Sequence, residues 1–203
     1  MKSNKELVQS LIDSGVLKTE IIIDAFLAVD RKDFVKKEYK ESAYLDIALP
    51  IGHDQTISQP YTVAFMLELL SPKRRHKVLD IGSGSGWTTA LLSKIVGKKG
   101  YVYGVELISE LVKMGRKNIS KYVDNNAEII KSTNNLGITN EKFDRILVSA
   151  SAVEFPEELL NQLKVSGNLV IPVQDSIFRI TKKEDGRIER EEHYGFSFVP
   201  LKK

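Results

Sequence analysis

The chain has 203 residues, of which 42% are hydrophobic and 28% charged, and its formal net charge of +3 is too small to indicate a nucleic-acid partner. Because it has no cysteine, it can form no disulfide, thiolate nucleophile or thiolate metal site, which suits the cytoplasmic location that we expect. No apolar run approaches the ~20 residues needed to cross a bilayer, and no apolar signal core follows Lys2 and Lys5, so we expect neither membrane contact nor export.

The first 47 residues predict a helical cover that packs on a main domain. Apolar residues recur at helical spacing from Asn4 to Ile12, and Gly15 is a plausible end of that helix. A second helix begins after Thr19, with an apolar face that includes Phe26. The stretch from Arg31 to Tyr44 is charged and irregular. None of these segments has the pattern of a catalytic motif.

A polar tract from Ala48 to Pro60 separates this cover from the next helix, which we place over Tyr61 to Leu70. The tract follows neither helical nor strand periodicity, so we expect an irregular loop. Its small or polar residues are Gly52, His53, Asp54, Gln55, Thr56, Ser58 and Gln59. A loop this polar between two ordered regions predicts a functional role.

The stretch from Val78 to Trp87 predicts a ligand-binding turn between a strand and a helix. Val78 to Ile81 is a short apolar run typical of a buried strand, and Trp87 to Val96 has the apolar stripe of a helix. Glycines at 82, 84 and 86 turn the chain between them, and we expect backbone N–H groups there to be free for a ligand. A dinucleotide fingerprint would need glycine at 87, and the Gly-Lys-Ser/Thr of a P-loop is absent. The alternative, a turn that serves only strand–helix packing, stays open.

Strand and helix patterns alternate after this turn, which predicts a parallel sheet that ends in antiparallel strands. The second strand ends in Glu106, where a carboxylate can accept hydrogen bonds from a ribose diol. A hairpin turn is predicted at Glu184-Asp185-Gly186. The predicted elements are strand 101–106, helix 110–122, strand 127–130, strand 144–149, helix 155–163, strand 168–173, strands 176–181 and 187–192, and a last strand 196–201.

Asp80, the Gly-x-Gly-x-Gly turn and Glu106 together resemble the S-adenosylmethionine-dependent methyltransferases with a Rossmann-like fold. We therefore expect an α/β class I methyltransferase fold, with a mostly parallel central sheet, antiparallel C-terminal strands and an N-terminal helical cover. The interpretation is a single domain over 1–203. It comprises the cover at 1–47, a substrate and cofactor loop at 48–60, and a Rossmann-like core with a C-terminal hairpin at 61–203.

Several separated motifs resemble one family in particular, the protein-L-isoaspartate (D-aspartate) O-methyltransferases. The most specific is the loop Gln55-Thr56-Ile57-Ser58-Gln59-Pro60, because methyltransferases at large lack it. The other matching motifs are Leu49-Pro50-Ile51-Gly52, Val78 to Gly86, Phe143-Asp144-Arg145-Ile146, Pro156 to Lys164, Gly167, Leu169 to Val173, and Phe198-Val199-Pro200-Leu201. The resemblance covers the chain from about Val29 to Leu201.

The resemblance implies methyl transfer from S-adenosyl-L-methionine to the free α-carboxylate of L-isoaspartyl residues, which starts repair through a succinimide. A carboxylate needs no base to react, so the catalytic residue that we predict, Ser58, orients it by hydrogen bonding. The rival role for Ser58 is a turn that bonds its own backbone. The predicted cofactor-binding residues are Thr56, Ile57, Ser58, Asp80, Gly82, Ser83, Gly84, Gly86, Glu106, Leu107, Thr133 and Asn134.

Two positions depart from the family pattern. Thr133-Asn134 stands where the family usually has an Asp-Gly pair in the adenosine pocket, so we expect weaker cofactor binding without a charge-assisted acceptor. Asp54 stands where many relatives have glycine, and its carboxylate is expected to repel an anionic substrate or alter selectivity.

No other constellation of residues predicts a different chemistry. His53, His76 and His193 lack metal-ligand spacing, so no metal is expected, and no Gly-x-Ser-x-Gly motif indicates a hydrolase. The alternatives that stay open are a methyltransferase of the same fold that acts on RNA or a small acid, and a relative that binds the cofactor without turnover. We expect a monomer whose partners are isoaspartyl peptides and proteins.

Overall fold

The computed structural model describes residues 1–133 and 135–201, so the predicted contact of Asn134 lies outside the described residues. The predicted helical cover is present at the N-terminus. It consists of helix α1 (Asn4–Asp13), helix α2 (Glu20–Ala28) and the 3-10 helices Arg31–Phe34 and Lys37–Ser42. Leu7 and Phe26 are fully buried in the same apolar cluster that covers one face of the central sheet. The helical cover is therefore part of the main core.

The rest of the chain alternates strands and helices largely as predicted. The elements are β1 (Leu49–Gly52), β2 (Gln55–Ile57), α3 (Pro60–Leu70), β3 (Lys77–Ile81), α4 (Trp87–Val96), β4 (Tyr101–Glu106), α5 (Ser109–Ile119), β5 (Ala127–Lys131), β6 (Phe143–Val148), the 3-10 helix Glu157–Asn161, β7 (Leu163–Val173), β8 (Ser176–Lys182) and β9 (Ile188–Tyr194).

Seven strands form one sheet in the order β5-β4-β3-β6-β7-β8-β9. The strands from β5 to β7 are parallel, and β8 and β9 extend the sheet as an antiparallel hairpin. These pairings confirm the predicted fold class. The chain adds β4 and β5 on one side of β3 and then β6 on the other, so the order reverses at β3. In such sheets, ligands bind in the crevice beyond the carboxyl ends of the strands at this reversal.

A β-hairpin occupies the tract 48–60, so the expected irregular loop is wrong. β1 and β2 pair antiparallel, with Leu49 opposite Ile57. His53 and Asp54 both have positive φ, 54° and 57°, as in the two-residue turns whose twist matches that of paired strands. Each strand is too short to show a periodicity of its own, and only the pairing of the two defines them.

Two predicted elements near the C-terminus are wrong. The expected helix 155–163 is a short 3-10 helix, because β7 already begins at Leu163, which pairs with Phe143. Gly167 therefore lies inside β7 rather than ahead of it. The expected strand 196–201 is an isolated bridge, in which Ser151 donates to Val199 O at 2.8 Å and accepts from Leu201 N at 2.8 Å.

The two faces of the sheet are covered differently. Helices α1 to α5 all contribute to one apolar cluster, which includes Val78 and Leu147 of the sheet. On the other face, Leu79 packs in a second cluster with Leu136 and Leu159, which come from the connection after β5 and the 3-10 helix before β7. Among the described residues, no helix is both long and apolar enough to span a bilayer.

Candidate functional site

Three adjoining cavities lie beyond the carboxyl ends of β3, β4 and β6. The first extends from the hairpin over the ends of β3 and β4 to the C-terminal segment. The second lies over the glycine loop, residues 82–86, and the third lies beside Ser58 and Gln59. Thr56 and Ser149 line all three, so the cavities form one continuous trough.

The glycine loop binds its own protein rather than presenting free donors. The N–H groups of Gly82 and Ser83 both donate to Val105 O, at 2.8 and 3.1 Å. The Gly84 N–H donates to the carboxylate of Glu106. The expectation of free backbone donors is therefore wrong at these three positions. A loop whose N–H groups are occupied is poorly suited to cradle a pyrophosphate, which agrees with the missing dinucleotide fingerprint.

Gly86 and Ser83 have different surroundings within this loop. Gly86 has φ of +90°, and a Cβ there would lie 2.7 Å from Cγ2 of Ile119 on α5. Gly86 does not line the first or the second cavity, so its place in the structure fits the packing alternative rather than the predicted cofactor contact. Ser83 lines the second cavity, and its buried hydroxyl has no hydrogen-bond partner among the described residues.

The Glu106 carboxylate is oriented by two backbone groups at the end of β4. One oxygen accepts from Gly84 N at 2.9 Å and the other from Ile108 N at 2.8 Å. The side chain is buried and lines the first cavity together with Leu107. Each carboxylate oxygen keeps a second lone pair, so the group can accept two further hydroxyl hydrogen bonds in a fixed orientation.

Asp80 is buried beneath the loop and lines neither the first nor the second cavity. One carboxylate oxygen accepts from the hydroxyls of Thr88 and Thr89, at 2.7 and 2.6 Å, which ties β3 to the first turn of α4. Burial raises the pKa of Asp80 to about 6, and the Glu106 carboxylate adds to the increase. The structure therefore does not place Asp80 on the cavity wall, where the predicted contact with the cofactor would require it.

The hairpin and the residues after it bring three predicted residues to the trough. Thr56 lines all three cavities, Ile57 lines the second with its side chain buried, and Ser58 lines the second and third. Asp54 lies exposed at the turn and lines none of the three cavities. Its expected effect on an anionic substrate has no support in this placement.

After β5, the structure brings Ser132 rather than the predicted Thr133 to the first cavity. Ser132 lines the first cavity, and its N–H donates to Glu106 O at 2.7 Å as β5 leaves the sheet. Thr133 is exposed and does not line that cavity. Leu136 lies on the cavity wall, where Gln162 fixes its backbone by donating to Leu136 O at 2.7 Å.

Comparisons with known proteins agree on one family. The family model described as protein-L-isoaspartate(D-aspartate) O-methyltransferase matches residues 2–203. The chain belongs to this family. A protein-L-isoaspartate O-methyltransferase of Methanopyrus kandleri is 41% identical over 98% of this chain and 91% of its own length. The enzyme of that name from Pyrococcus horikoshii is 40% identical over 97% of this chain and 91% of its own.

A solved structure of the family has the same fold. A Plasmodium falciparum protein assigned to it, crystallised in complex with S-adenosyl-L-homocysteine, superposes with a TM-score of 0.89 at 29% identity. The match covers 100% of this chain and 99% of the other. The resemblance drawn from the sequence motifs is therefore confirmed.

Sequence reasoning missed several residues that this member of the family brings to the trough. Ser149 follows β6 and lines all three cavities, and the C-terminal segment contributes Val199, Pro200 and Leu201 to the first. Ser149 and Ser132 could have been found from their positions at the carboxyl ends of predicted parallel strands. Of the described residues, no group of His, Asp and Glu side chains is arranged to hold a metal ion.

Proposed function

We propose that this protein transfers a methyl group from S-adenosyl-L-methionine to the free α-carboxylate of L-isoaspartyl residues in peptides and proteins. The observation that supports this most directly is the chemistry of the second and third cavities. Of the described residues that line them, none has a titratable side chain. A carboxylate is already ionised near neutral pH, so it is an acceptor that needs no general base.

The same observation argues against one of the alternative acceptors, RNA. A ribose hydroxyl or an exocyclic amine of RNA has to lose a proton as it is methylated, and a positioned base would line the site. The third cavity is instead lined by residues with hydroxyl groups, among them Thr56, Ser58, Ser149 and Ser197. These groups can donate hydrogen bonds to a carboxylate and hold it without competing for a proton.

The first cavity fits the methyl donor. Glu106 would hold the ribose hydroxyls with its two remaining lone pairs, and the apolar side chains of Ile81, Val105 and Leu136 would cover the adenine. When bound, S-adenosyl-L-methionine supplies an electrophilic methyl group on a positively charged sulfur. The chain's own part is to orient the two substrates in the trough and to exclude water.

We assign Ser58 as the residue that positions the substrate carboxylate, with Thr56 beside it. Ser58 lines the second and third cavities, which adjoin the proposed cofactor cavity at Thr56 and Ser149, so it lies beside the place where the methyl group would meet its acceptor. An isoaspartyl carboxylate is attached directly to the α-carbon, one methylene closer to the main chain than that of normal aspartate. Since displacement of the acceptor by about 1 Å can lower the rate ~100-fold, discrimination is expected in turnover more than in binding.

Methylation starts the repair because it converts a poor leaving group into a good one. The next main-chain nitrogen displaces methanol from the ester and closes a succinimide, and hydrolysis of that ring returns part of the product to normal aspartate. We further propose a monomer in the cytoplasm, without nucleic-acid or membrane partners. The lack of cysteine and the net charge of +3 support this setting.

The test is methyl transfer from labelled cofactor to matched isoaspartyl and aspartyl peptides. We expect a base-labile methyl ester on the isoaspartyl peptide and little on its twin. Ser58→Ala should lose most of the rate with S-adenosyl-L-homocysteine binding intact. The control is Ser120→Ala, because the Ser120 hydroxyl donates to Lys117 O at the end of α5 and lines none of the three cavities. Equal labelling of both peptides, or a base-stable product, would exclude the proposed substrate.

A further inference from the structure

Arg31 is a fully buried cation whose hydrogen bonds all go to backbone carbonyls. Its Nη1 donates to Ala43 O at 2.7 Å and to Leu45 O at 3.2 Å. Its Nη2 donates to Ile47 O at 2.8 Å and to Ser58 O at 3.1 Å. One planar group therefore joins the end of the helical cover to the residue that we assign to the substrate carboxylate.

The same guanidinium also contacts the other side of the site. Its central carbon lies 5.3 Å from the centre of the Trp87 ring, in the range of a cation–π contact. Trp87 begins α4 directly after the glycine loop and lines the second cavity. Arg31 thus lies between the backbone of Ser58 and α4, the helix that follows the glycine loop.

The residues after Ser58 are held from a second side by Asp46. Its carboxylate accepts from Gln59 Nε2 at 3.1 Å and from Tyr61 N at 2.8 Å. Arg31 and Asp46 together fix both ends of the short segment between β2 and α3. No hydrogen bond from Arg31 to a carboxylate is formed among the described residues, and burial lowers the pKa of Arg31 to about 10, so the group stays charged near neutral pH.

We propose that Arg31 is a positioning residue for methyl transfer, which sets the backbone of Ser58 so that its side chain faces the acceptor carboxylate. The inference rests on the proposed function of Ser58. It follows from geometry: Ser58 lies in a segment without regular pairing, and its carbonyl is held by a donor 27 residues away. A loop residue held to within a fraction of an ångström needs such a rigid, multiply bonded support.

A second buried arginine distinguishes a positioning role of Arg31 from a purely structural one. Arg145 is also buried and also donates to backbone carbonyls, those of Ser71, Asp144 and Ser166, at 3.0, 2.7 and 3.4 Å. It lies on β6 at the opposite end of the sheet from the cavities and lines none of the three. Arg145→Lys therefore reports the general effect of removing a buried guanidinium.

The experiment compares Arg31→Lys and Arg145→Lys in the full-length chain. A lysine keeps the charge but has one nitrogen, which cannot reach all four carbonyls. We expect Arg31→Lys to lower kcat on an isoaspartyl peptide by about 10- to 100-fold. The Kd for S-adenosyl-L-homocysteine should stay within about twofold of wild type. Arg145→Lys should lower the thermal midpoint with kcat within about twofold of wild type.

Three results would overturn the proposal. They are an Arg31→Lys kcat close to wild type, an equal fall in kcat in both variants, and a loss of S-adenosyl-L-homocysteine binding that matches the loss of kcat. Arg31→Gln provides a second variant, and failure of both Arg31 variants to fold with that ligand present would also overturn it. A wild type that binds the ligand but leaves isoaspartyl peptides unmethylated would instead refute the proposed function itself.

Discussion

Replacement of Glu106 by glutamine tests the structural basis of cofactor binding. The two side chains have the same shape, so the change removes the charge and one acceptor oxygen while leaving the cavity volume unaltered. In the protein, both oxygens of Glu106 already accept backbone hydrogen bonds, from Gly84 N and Ile108 N. An amide can satisfy only one of them, and its NH2 group then faces the other N–H.

The expected magnitude follows from the hydrogen bonds between Glu106 and the ribose. At least one hydroxyl of a bound ribose would lose a charged acceptor, and a hydrogen bond to a charged group contributes about 1.5–3 kcal/mol. Glu106→Gln should therefore raise the Kd for S-adenosyl-L-homocysteine by about 10- to 150-fold. Reorientation of the loop at Gly84, whose N–H would no longer have its acceptor, would add to this effect.

Isothermal titration calorimetry with S-adenosyl-L-homocysteine measures the change directly. Glu110→Gln is the matched control, because Glu110 lies in the first turn of α5, is exposed, and removes the same charge without lining the first cavity. A Glu106→Gln protein whose Kd stays within about twofold of wild type would refute the reasoning. Equal weakening in both variants would show a long-range effect of charge rather than a contact.

Two further predictions concern the residues that support the loop. Gly86→Ala should destabilise the protein by about 1–3 kcal/mol more than Gly186→Ala in urea unfolding. Both glycines have positive φ, but a new Cβ meets Ile119 at 2.7 Å in the first and nothing within 4 Å in the second; equal losses would contradict the packing role. Burial raises the pKa of Asp80 from 3.8 to about 6, so the folded state holds this proton more tightly, and the stability that it contributes is lost as pH rises through that range. The stability of wild type relative to Asp80→Asn should fall by about 2 kcal/mol between about pH 4 and pH 7, measured without ligand; a constant difference would show that Asp80 stays ionised in the fold.

The part of the fold from β3 to β4 could be predicted because its sequence signals are local. The bounds of α4 and β4 agree with those predicted from the sequence, and β3 differs by one residue. A buried strand, a glycine turn and an amphipathic helix each follow from the residues within the element itself. The position of Glu106 at the end of β4 follows in the same way.

The hairpin and β7 depended on partners elsewhere in the chain. β2 has three residues, and nothing within them distinguishes a strand from a polar loop until β1 lies beside it. The residues around Leu163 predict the end of a helix, but its pairing with Phe143 makes it the start of a strand. Pairing across a sheet overrides local preference, so a prediction from the local pattern fails where a strand is defined by a partner elsewhere in the chain.

The sequence by itself determined the family, the order of the main elements and the loop that carries Thr56 and Ser58, because short motifs and periodicity are properties of neighbouring residues. Only the tertiary structure decided which side chains share the trough. Ser149 lines all three cavities, and the buried Arg31 donates to Ser58 O, 27 residues away in the chain. Asp80 packs beneath the glycine loop against α4, and Gly86 packs against α5, instead of lining the first two cavities. Those contacts depend on the sheet order and on how the helical cover packs against it, and no pattern within a single segment contains that information.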